Sequence, residues 1–247
     1  MRMKKLLACG LALVTAAFFA GCGSSNGSSG ASDAGKGIKV GVSMPTKSLQ
    51  RWNQDGANME KKLREKGYDV DLQFAENKVE TQVSQIENMI TKGCKVVVVG
   101  SIDGSALSSV LNEAKDAGVA VIAYDRLLMG TDAVDYYATF DSYAVGRMQA
   151  QTIVDKLGLA EGKQGTLEIA AGPMEDSNAK VLYAGAMDVL KPYIDKGQLT
   201  IRSGQRSQEQ CATPGWATLM AKERMAGLLK QYETGSREAV LAAHDSI

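Results

Sequence analysis

The chain has 247 residues, and 28 basic and 28 acidic side chains give it a formal net charge of zero at pH 7. This balance excludes the broad electrostatic footprint expected of a protein that binds DNA, RNA or an anionic membrane surface. The length is enough for one large or two small domains once the terminal segments described below are set aside.

Residues 1–22 have the three parts of an export signal: a basic start, the uncharged apolar run 6–19, and small residues that lead to Cys22. The apolar run is shorter than the roughly 20 residues that span a bilayer as a helix. The ending Ala20-Gly21-Cys22 resembles a bacterial lipobox, which implies a lipid on Cys22. The alternative is an ordinary signal peptide in which Cys22 has no role.

Residues 23–37 consist almost entirely of Gly, Ser, Ala, Asn and Asp. This composition is typical of a flexible tether. A tether that links a lipid on Cys22 to the folded part of the chain explains both the lipobox and the composition of residues 23–37. We therefore expect an extracytoplasmic protein that is anchored to the cell membrane through Cys22.

From residue 38 onward, short runs rich in β-branched residues alternate with stretches whose apolar residues recur at helical spacing. The predicted strands are 40–42, 70–72, 96–99, 119–123, 136–140, 167–170, 199–201 and 240–243. Continuous apolar strands joined by helices predict an α/β fold with parallel sheets covered on both faces. The pattern restarts after Asp141, which predicts an N-terminal lobe over 38–141 and a C-terminal lobe over 142–247.

Ligands of open parallel sheets bind beyond the carboxyl ends of the strands. The strongly polar and aromatic residues of this chain fall at those positions in both predicted lobes. The predicted ligand-binding residues are Lys47, Arg51, Trp52, Asp125, Arg126, Asp176, Asn178, Trp216, His244 and Asp245. Their carboxylate, amide and guanidinium groups can pair with vicinal hydroxyls, and an indole ring can cover an apolar sugar face. The set favours a neutral polyol ligand such as a pyranose.

Each candidate also has a purely structural interpretation, and the sequence leaves these alternatives open. They are core packing for Trp52 and Trp216, an ion pair closing a turn for Asp125 and Arg126, a solvated surface position for Lys47, helix capping for Asp176 and Asn178, and loop packing for His244. The placement of the whole set at strand ends favours the binding interpretation over any residue taken singly.

The sequence gives little support for catalysis, a cofactor or a metal. No Gly-x-Ser-x-Gly nucleophile elbow follows a predicted strand, no Gly-x-Gly-x-x-Gly follows the first strand, and the run 162–166 lacks the spacing of a phosphate-binding loop. His244 is the sole histidine. Cys94 and Cys211 lack the neighbours of a zinc or redox site, and the strand order places them in different lobes, unbonded. We expect no enzyme activity, no cofactor and no bound metal.

Several segments together are similar to the periplasmic receptors for multiple monosaccharides and for xylose, over about residues 39–247. The segments are Met44-Pro45-Thr46-Lys47 with Arg51-Trp52, and the runs 85–90, 122–126, 135–141 and 189–195. The resemblance implies the two-lobed type I periplasmic-binding-protein fold, in which each lobe is a parallel sheet flanked by helices. It also implies an aldose such as xylose, glucose or galactose held between the lobes and delivered to an ABC transporter permease.

Within this resemblance, several residues match positions that contact sugar in the family. They are Arg51, Trp52, Asp125, Arg126, Asn178 and Trp216. One rival interpretation is a sugar sensor whose closed form engages a chemoreceptor or a histidine kinase. A second rival, from another class, is a sugar-acting enzyme.

The sequence departs from the family pattern in places. Ser177-Asn178 stands where the family has an Asn-Asn pair, and His244 precedes the aspartate of the last motif. These differences leave the identity of the sugar open but not its class. Relatives continue well beyond residue 247, so we expect the C-terminal lobe to be incomplete and its uncovered strand edge to favour association.

Replacing Cys22 with alanine tests the predicted lipid anchor. Cys22→Ala removes the sulfur that would carry the lipid, so we expect the protein to leave the membrane fraction or to remain unprocessed. Fractionation after expression in a bacterial host measures this. Cys94→Ala removes a thiol from the predicted N-terminal lobe and should not change the partitioning. Equal membrane fractions for Cys22→Ala and the parent would contradict the lipobox interpretation.

Overall fold

The computed structural model describes residues 36–232 and 239–242. The strands are β1 (Lys39–Met44), β2 (Asp69–Phe74), β3 (Val96–Val99), β4 (Ala120–Tyr124), β5 (Val134–Ala138), β6 (Gly165–Ala170), β7 (Leu199–Ile201) and β8 (Ala239–Ala242). The α-helices are α1 (Gln50–Glu65), α2 (Val79–Thr91), α3 (Ser108–Asp116), α4 (Ser142–Leu157), α5 (Ser177–Asp195), α6 (Gln208–Cys211) and α7 (Thr218–Leu229). The predicted export signal with Cys22, most of the predicted tether, and His244 and Asp245 lie outside the described residues.

The strands form two parallel sheets. Strands β1 to β5 form a five-stranded sheet in the order β2-β1-β3-β4-β5, and the second sheet has the order β7-β6-β8. Every strand pairing within them is parallel. The predicted α/β fold class, with parallel sheets flanked by helices, is confirmed. The proposed lobe boundaries at 38–141 and 142–247 stay a prediction.

Strand β3 shows why a continuous apolar run forms a central parallel strand. Val97 and Val99 pack into the cluster that holds α2 and α3, whereas Val96 and Val98 pack into the cluster on the opposite face, around Trp52 of α1. Successive side chains of a strand point to opposite faces, so burial on both faces requires apolar residues at every position. The order of the chain therefore places α1 on one face of the sheet and α2 with α3 on the other.

Two helices that cover the first sheet end just before a glycine with left-handed backbone. Gly93 follows α2 with a φ of 80°, and Gly118 follows α3 with a φ of 69°. Left-handed backbone is open to glycine without a steric penalty, so the chain can turn there and enter the next strand. Among the described residues, no helix is long and apolar enough to cross a membrane.

The fifth strand begins earlier than the sequence indicates, at Val134 rather than residue 136, and ends at Ala138 rather than 140. A side chain explains the shift. Oδ2 of Asp135 accepts a hydrogen bond from the backbone N of Val121 at 2.8 Å, beside a register irregularity between β4 and β5. A carboxylate oxygen thus takes the place of a backbone carbonyl as hydrogen-bond acceptor at the point where the register of the two strands shifts. Strand patterns based on apolar residues cannot register such a contact.

Helices α4 and α5 of the second lobe touch backbone to backbone. A Cβ atom built on Gly146 would lie 2.1 Å from the carbonyl O of Leu182, and one on Gly185 would lie 2.2 Å from that of Tyr143. Neither distance is compatible with any larger residue. Glycine at both positions allows the close crossing that lets the two helices cover β6 together.

Substituting the glycines of this crossing should loosen the second lobe. We expect Gly146→Ala to lower the free energy of unfolding by about 1–3 kcal/mol or more, because the added methyl overlaps a backbone carbonyl. Gly227→Ala is the matched control: it lies in α7 with open space around it, and alanine should raise stability there by about 0.4–1 kcal/mol. Urea denaturation measures both. Equal stability of the two variants would contradict the close-contact explanation.

Candidate functional site

Most of the predicted ligand-binding residues lie together, between the carboxyl ends of strands from the two sheets. Arg51 and Trp52 lie in the first turn of α1, Asp125 and Arg126 follow β4, Asp176 and Asn178 begin α5, and Trp216 precedes α7. We call this set, which is Arg51, Trp52, Asp125, Arg126, Asp176, Asn178 and Trp216, the interlobe cluster. Six of these residues are more than nine-tenths buried: Trp52, Asp125, Arg126, Asp176, Asn178 and Trp216.

Arg51 is the centre of an ion-pair network in the first lobe. Its Nη1 lies 2.9 Å from Oδ2 of Asp125, and its Nε lies 3.2 Å from Oδ2 of Asp55. The hydroxyl of Tyr124 donates to the same Asp55 oxygen at 3.1 Å. Burial, reinforced by the neighbouring Asp55 carboxylate, raises the pKa of Tyr124, so the phenol remains a donor at neutral pH. The network fixes the guanidinium of Arg51 in one orientation.

The indole of Trp52 lies beside both guanidinium groups. The Cζ atoms of Arg51 and Arg126 lie 4.5 and 5.1 Å from its ring centroid, within the range of cation–π attraction. Trp52 has no exposed surface and packs in the core with Val42 and Met44. In this conformation the ring supports the two arginines, and stacking of a sugar on it stays a prediction.

Asp176 organises the second-lobe half of the cluster. Its Oδ1 accepts from the backbone N of Asn178 at 2.9 Å, which caps α5, as the alternative interpretation of the sequence proposed. Its Oδ2 accepts from Nε1 of Trp216 at 2.8 Å. Gly172 makes room for that indole, because a Cβ there would lie 2.3 Å from the ring. One carboxylate therefore caps a helix and holds a tryptophan.

Two polar contacts join the lobes directly. Nε of Arg126 lies 2.9 Å from Oδ2 of Asp176 in the other lobe. Within its own lobe, Nη1 of Arg126 donates to the carbonyl O of Ser101 at 2.9 Å. Nδ2 of Asn178 donates to the carbonyl O of Asp125 at 2.9 Å and lies 3.3 Å from its Oδ1. The sequence left open an ion pair between Asp125 and Arg126; in the structure Asp125 pairs with Arg51, and Arg126 pairs with Asp176.

An apolar contact accompanies the polar ones. Leu49, just before α1, packs against Ala179, Leu182 and Trp216 of the second lobe. A depression open to solvent lies beside the cluster. It is lined by Arg51, Tyr124, Asp125, Ala138, Thr139 and Phe140.

The structure describes one of the three remaining predicted residues, Lys47. The Nζ atom of Lys47 lies 5.1 Å from the ring centroid of Phe74 on an exposed part of the first lobe, which agrees with the solvated-surface alternative. A ligand contact by Lys47 stays a prediction. His244 and Asp245 fall outside the part of the chain that the structure describes.

Sequence reasoning missed the residues that support the cluster, namely Asp55, Ser101, Tyr124 and Thr139. Asp55 carried a signal, because it lies one helical turn after Arg51 and such pairs share a face. Ser101 contributes a backbone oxygen, which no side-chain pattern can reveal. In the described residues, no group of three or more His, Cys, Asp or Glu side chains is placed to hold a metal ion.

The two cysteines of the described residues are buried in different cores, Cys94 with the first sheet and Cys211 with the second. Burial raises the pKa of both thiols, which suppresses the reactive thiolate.

The interlobe cluster combines guanidinium and amide donors with carboxylate acceptors and aromatic surface. Groups of these kinds can pair with the hydroxyls of a polar, uncharged ligand.

Two parallel sheets flanked by helices, with a polar cluster between them, define the type I periplasmic-binding-protein architecture. Residues 40–247 match the family described as periplasmic binding protein domain, and the chain belongs to this family.

Two of its relatives are named as sugar-binding proteins. Over 210 residues it is 49% identical to the multiple sugar-binding periplasmic receptor ChvE of Rhizobium radiobacter, covering 84% of this chain and 59% of that protein. It is 36% identical over 211 residues to the D-xylose-binding periplasmic protein of Escherichia coli, covering 85% and 60%. The chain thus spans about three-fifths of the length of these curated relatives.

Two solved structures resemble the chain at substantial identity. An ABC transporter solute-binding protein from Clostridium phytofermentans with bound β-D-glucose matches with a TM-score of 0.81 and 55% identity, covering 84% of this chain and 65% of that one. A carbohydrate transporter solute-binding protein from Chloroflexus aurantiacus, in complex with D-glucose, matches with a TM-score of 0.71 and 35% identity, covering 78% and 61%.

A double-mutant cycle tests whether the buried ion pair joins the lobes. We expect Arg126→Met or Asp176→Asn alone to destabilise the protein by about 3–5 kcal/mol, since each leaves a buried polar partner uncompensated. The double variant should lose clearly less than the sum. The exposed pair Arg147 and Asp188 is the control, with an expected coupling of about 0–1 kcal/mol. Urea unfolding measures all variants. Additive losses at the buried pair would contradict the coupling.

Proposed function

We propose that this chain is the ligand-binding part of an extracytoplasmic receptor that holds an aldose between two lobes and delivers it to an ABC transporter permease. The observation that carries the proposal is the interlobe cluster. It draws donors and acceptors from both lobes, so a ligand bound there contacts both and favours their closed arrangement.

The chemistry of the cluster suits a monosaccharide such as xylose, glucose or galactose. Adjacent ring hydroxyls both donate and accept, and a carboxylate or amide engages two of them at once. In the proposed site, the carboxylates of Asp125 and Asp176 accept hydrogen bonds from sugar hydroxyls. Asn178 and the two arginines donate hydrogen bonds to sugar oxygens. In the proposed site, the ring of Trp216 covers an apolar sugar face.

The rim of the proposed site includes three further predicted residues. Lys47 follows β1, the strand that leads into α1 and Arg51. His244 and Asp245 follow the last predicted strand, whose backbone forms β8 at the edge of β6. Parallel strands β1, β6 and β8 all present their carboxyl ends to ligand-binding loops in this class of sheet, which supports retaining these residues in the proposed ligand set.

The comparisons support a receptor over an enzyme. ChvE and the xylose-binding protein are named as sugar-binding proteins, and the two solved structures at 55% and 35% identity hold glucose. Within the described residues the two carboxylates of the cluster are paired with guanidinium groups, Asp125 with Arg51 and Asp176 with Arg126. We therefore propose binding without turnover. Export, a lipid on Cys22 and the tether would hold the receptor at the outer face of the cell membrane.

A panel of aldoses tests the proposal by thermal shift and calorimetry on the chain from Gly23 onward. At least one of xylose, glucose or galactose should raise the melting temperature, because a ligand that binds the folded state stabilises it. Asp125→Ala should weaken binding of that sugar by about 1.5–3 kcal/mol, the usual value of a hydrogen bond to a charged group, and Asn178→Ala by about 0.5–1.5 kcal/mol, the value for a neutral one.

Asp132→Ala serves as the matched control. Asp132 lies in the same lobe but is 85% exposed and pairs with Lys115 at 2.7 Å, so its loss should leave sugar affinity unchanged. The proposal is wrong if no aldose binds, or if Asp125→Ala binds as tightly as Asp132→Ala. Consumption of the bound sugar over time would favour an enzyme instead.

A further inference from the structure

The backbone at Asp125 is strained. Its φ is +65°, a left-handed value that residues other than glycine rarely adopt. The backbone N of Arg126 donates to the carbonyl O of Tyr124 at 2.8 Å, which closes a turn of three residues centred on Asp125. A three-residue turn with positive φ at its centre is the rare and strained form of the γ-turn. Strain of this kind persists only where the surroundings enforce it.

The turn contains two residues of the interlobe cluster, Asp125 and Arg126. It ends β4 and sends the next two side chains to different partners. Asp125 pairs with Arg51 of its own lobe at 2.9 Å, and Arg126 pairs with Asp176 of the other lobe at 2.9 Å. Relaxation of the turn would reorient both side chains at once.

Three donors converge on the carbonyl O of Asp125. The hydroxyl of Tyr137 donates to it at 3.0 Å, Oγ1 of Thr139 at 2.9 Å and Nδ2 of Asn178 at 2.9 Å. The backbone N of Asp125 also donates to the carbonyl O of Ala138 at 2.8 Å. Tyr137 and Thr139 are two residues apart on and just beyond β5, so their side chains point to one face and reach the same oxygen.

The donors differ in origin. Tyr137 and Thr139 belong to the first lobe and hold the turn whether or not the second lobe is near. Asn178 belongs to the second lobe, so its hydrogen bond forms only when the lobes meet. Burial raises the pKa of Tyr137, and the phenol therefore stays protonated and able to donate at neutral pH.

We propose that Tyr137 and Thr139 are positioning residues that hold the strained turn at Asp125 and so orient Asp125 and Arg126 for the ligand without touching it. Asn178 completes the set on closure. The effect on ligand affinity rests on the proposed function, whereas the hold on the turn does not. The two parts are therefore tested by separate measurements on the same variants.

The variants are Tyr137→Phe and Thr139→Val, which delete the hydroxyls and keep the shape, with Thr139→Ser restoring the donor. The turn is followed by hydrogen exchange of the Arg126 amide in NMR spectra, because this amide closes the turn. We expect both deletions to speed its exchange at least fivefold relative to amides of β3, and Thr139→Ser to restore it. Loss of one hydrogen bond corresponds to roughly a fivefold change in an equilibrium constant. A general loss of stability would speed exchange in β3 equally.

Ligand affinity is then measured by calorimetry with the aldose that binds the parent. Each deletion should weaken binding about three- to tenfold, and by a smaller factor when combined with Asp125→Ala, since one of the two positioned groups is then already gone. Tyr136→Phe is the control, as the neighbouring tyrosine is 69% exposed and its hydroxyl should not matter.

The outcomes separate the two claims. Unchanged exchange of the Arg126 amide in both deletions would overturn the proposal, and so would faster exchange with unchanged affinity. If the parent binds no aldose, the proposed function fails while the exchange data still decide whether the hydroxyls hold the turn. Faster, locally confined exchange that Thr139→Ser reverses supports it.

Discussion

Charged groups that leave water must find partners inside the protein, and the space between the two lobes is arranged around this requirement. Arg126 and Asp176 come from different lobes, are 6% and 2% exposed, and lie 2.9 Å apart. The same aspartate caps α5 and accepts a hydrogen bond from the indole of Trp216. The ion pair therefore depends on where α5 begins and on the position of that indole. Several elements must be correctly placed before these charges can be buried together.

Much of the fold could be predicted from local patterns. The run 96–99 is apolar at every position because both faces of β3 are covered, and Gly93 and Gly118 end helices where the left-handed backbone is needed. The start of β5 could not be predicted, because the register is irregular there and the backbone N of Val121 donates to the side chain of Asp135. Contacts between chain segments that are distant in sequence leave no periodic trace.

The site was predictable by location more than by role. The rule that ligands bind at the carboxyl ends of parallel strands selected Arg51, Asp125 and Asp176 for one region, and the structure brings them there. It could not assign Trp52 to a fully buried place beside two guanidinium groups. Nor could it identify Tyr137 and Thr139, whose hydroxyls act on a backbone oxygen. A sequence shows which groups are available, whereas burial and direction decide what each one does.

The two tryptophans have a practical consequence. The chain contains only Trp52 and Trp216, one from each lobe, and both belong to the cluster. One lies within 5.1 Å of two cationic centres, and the other donates to a carboxylate. Indole emission responds to nearby charge and solvent, so the tryptophan fluorescence of this protein originates wholly from the interlobe cluster. The molecule thus carries its own optical reporter of that cluster, without an attached dye or background from a distant tryptophan.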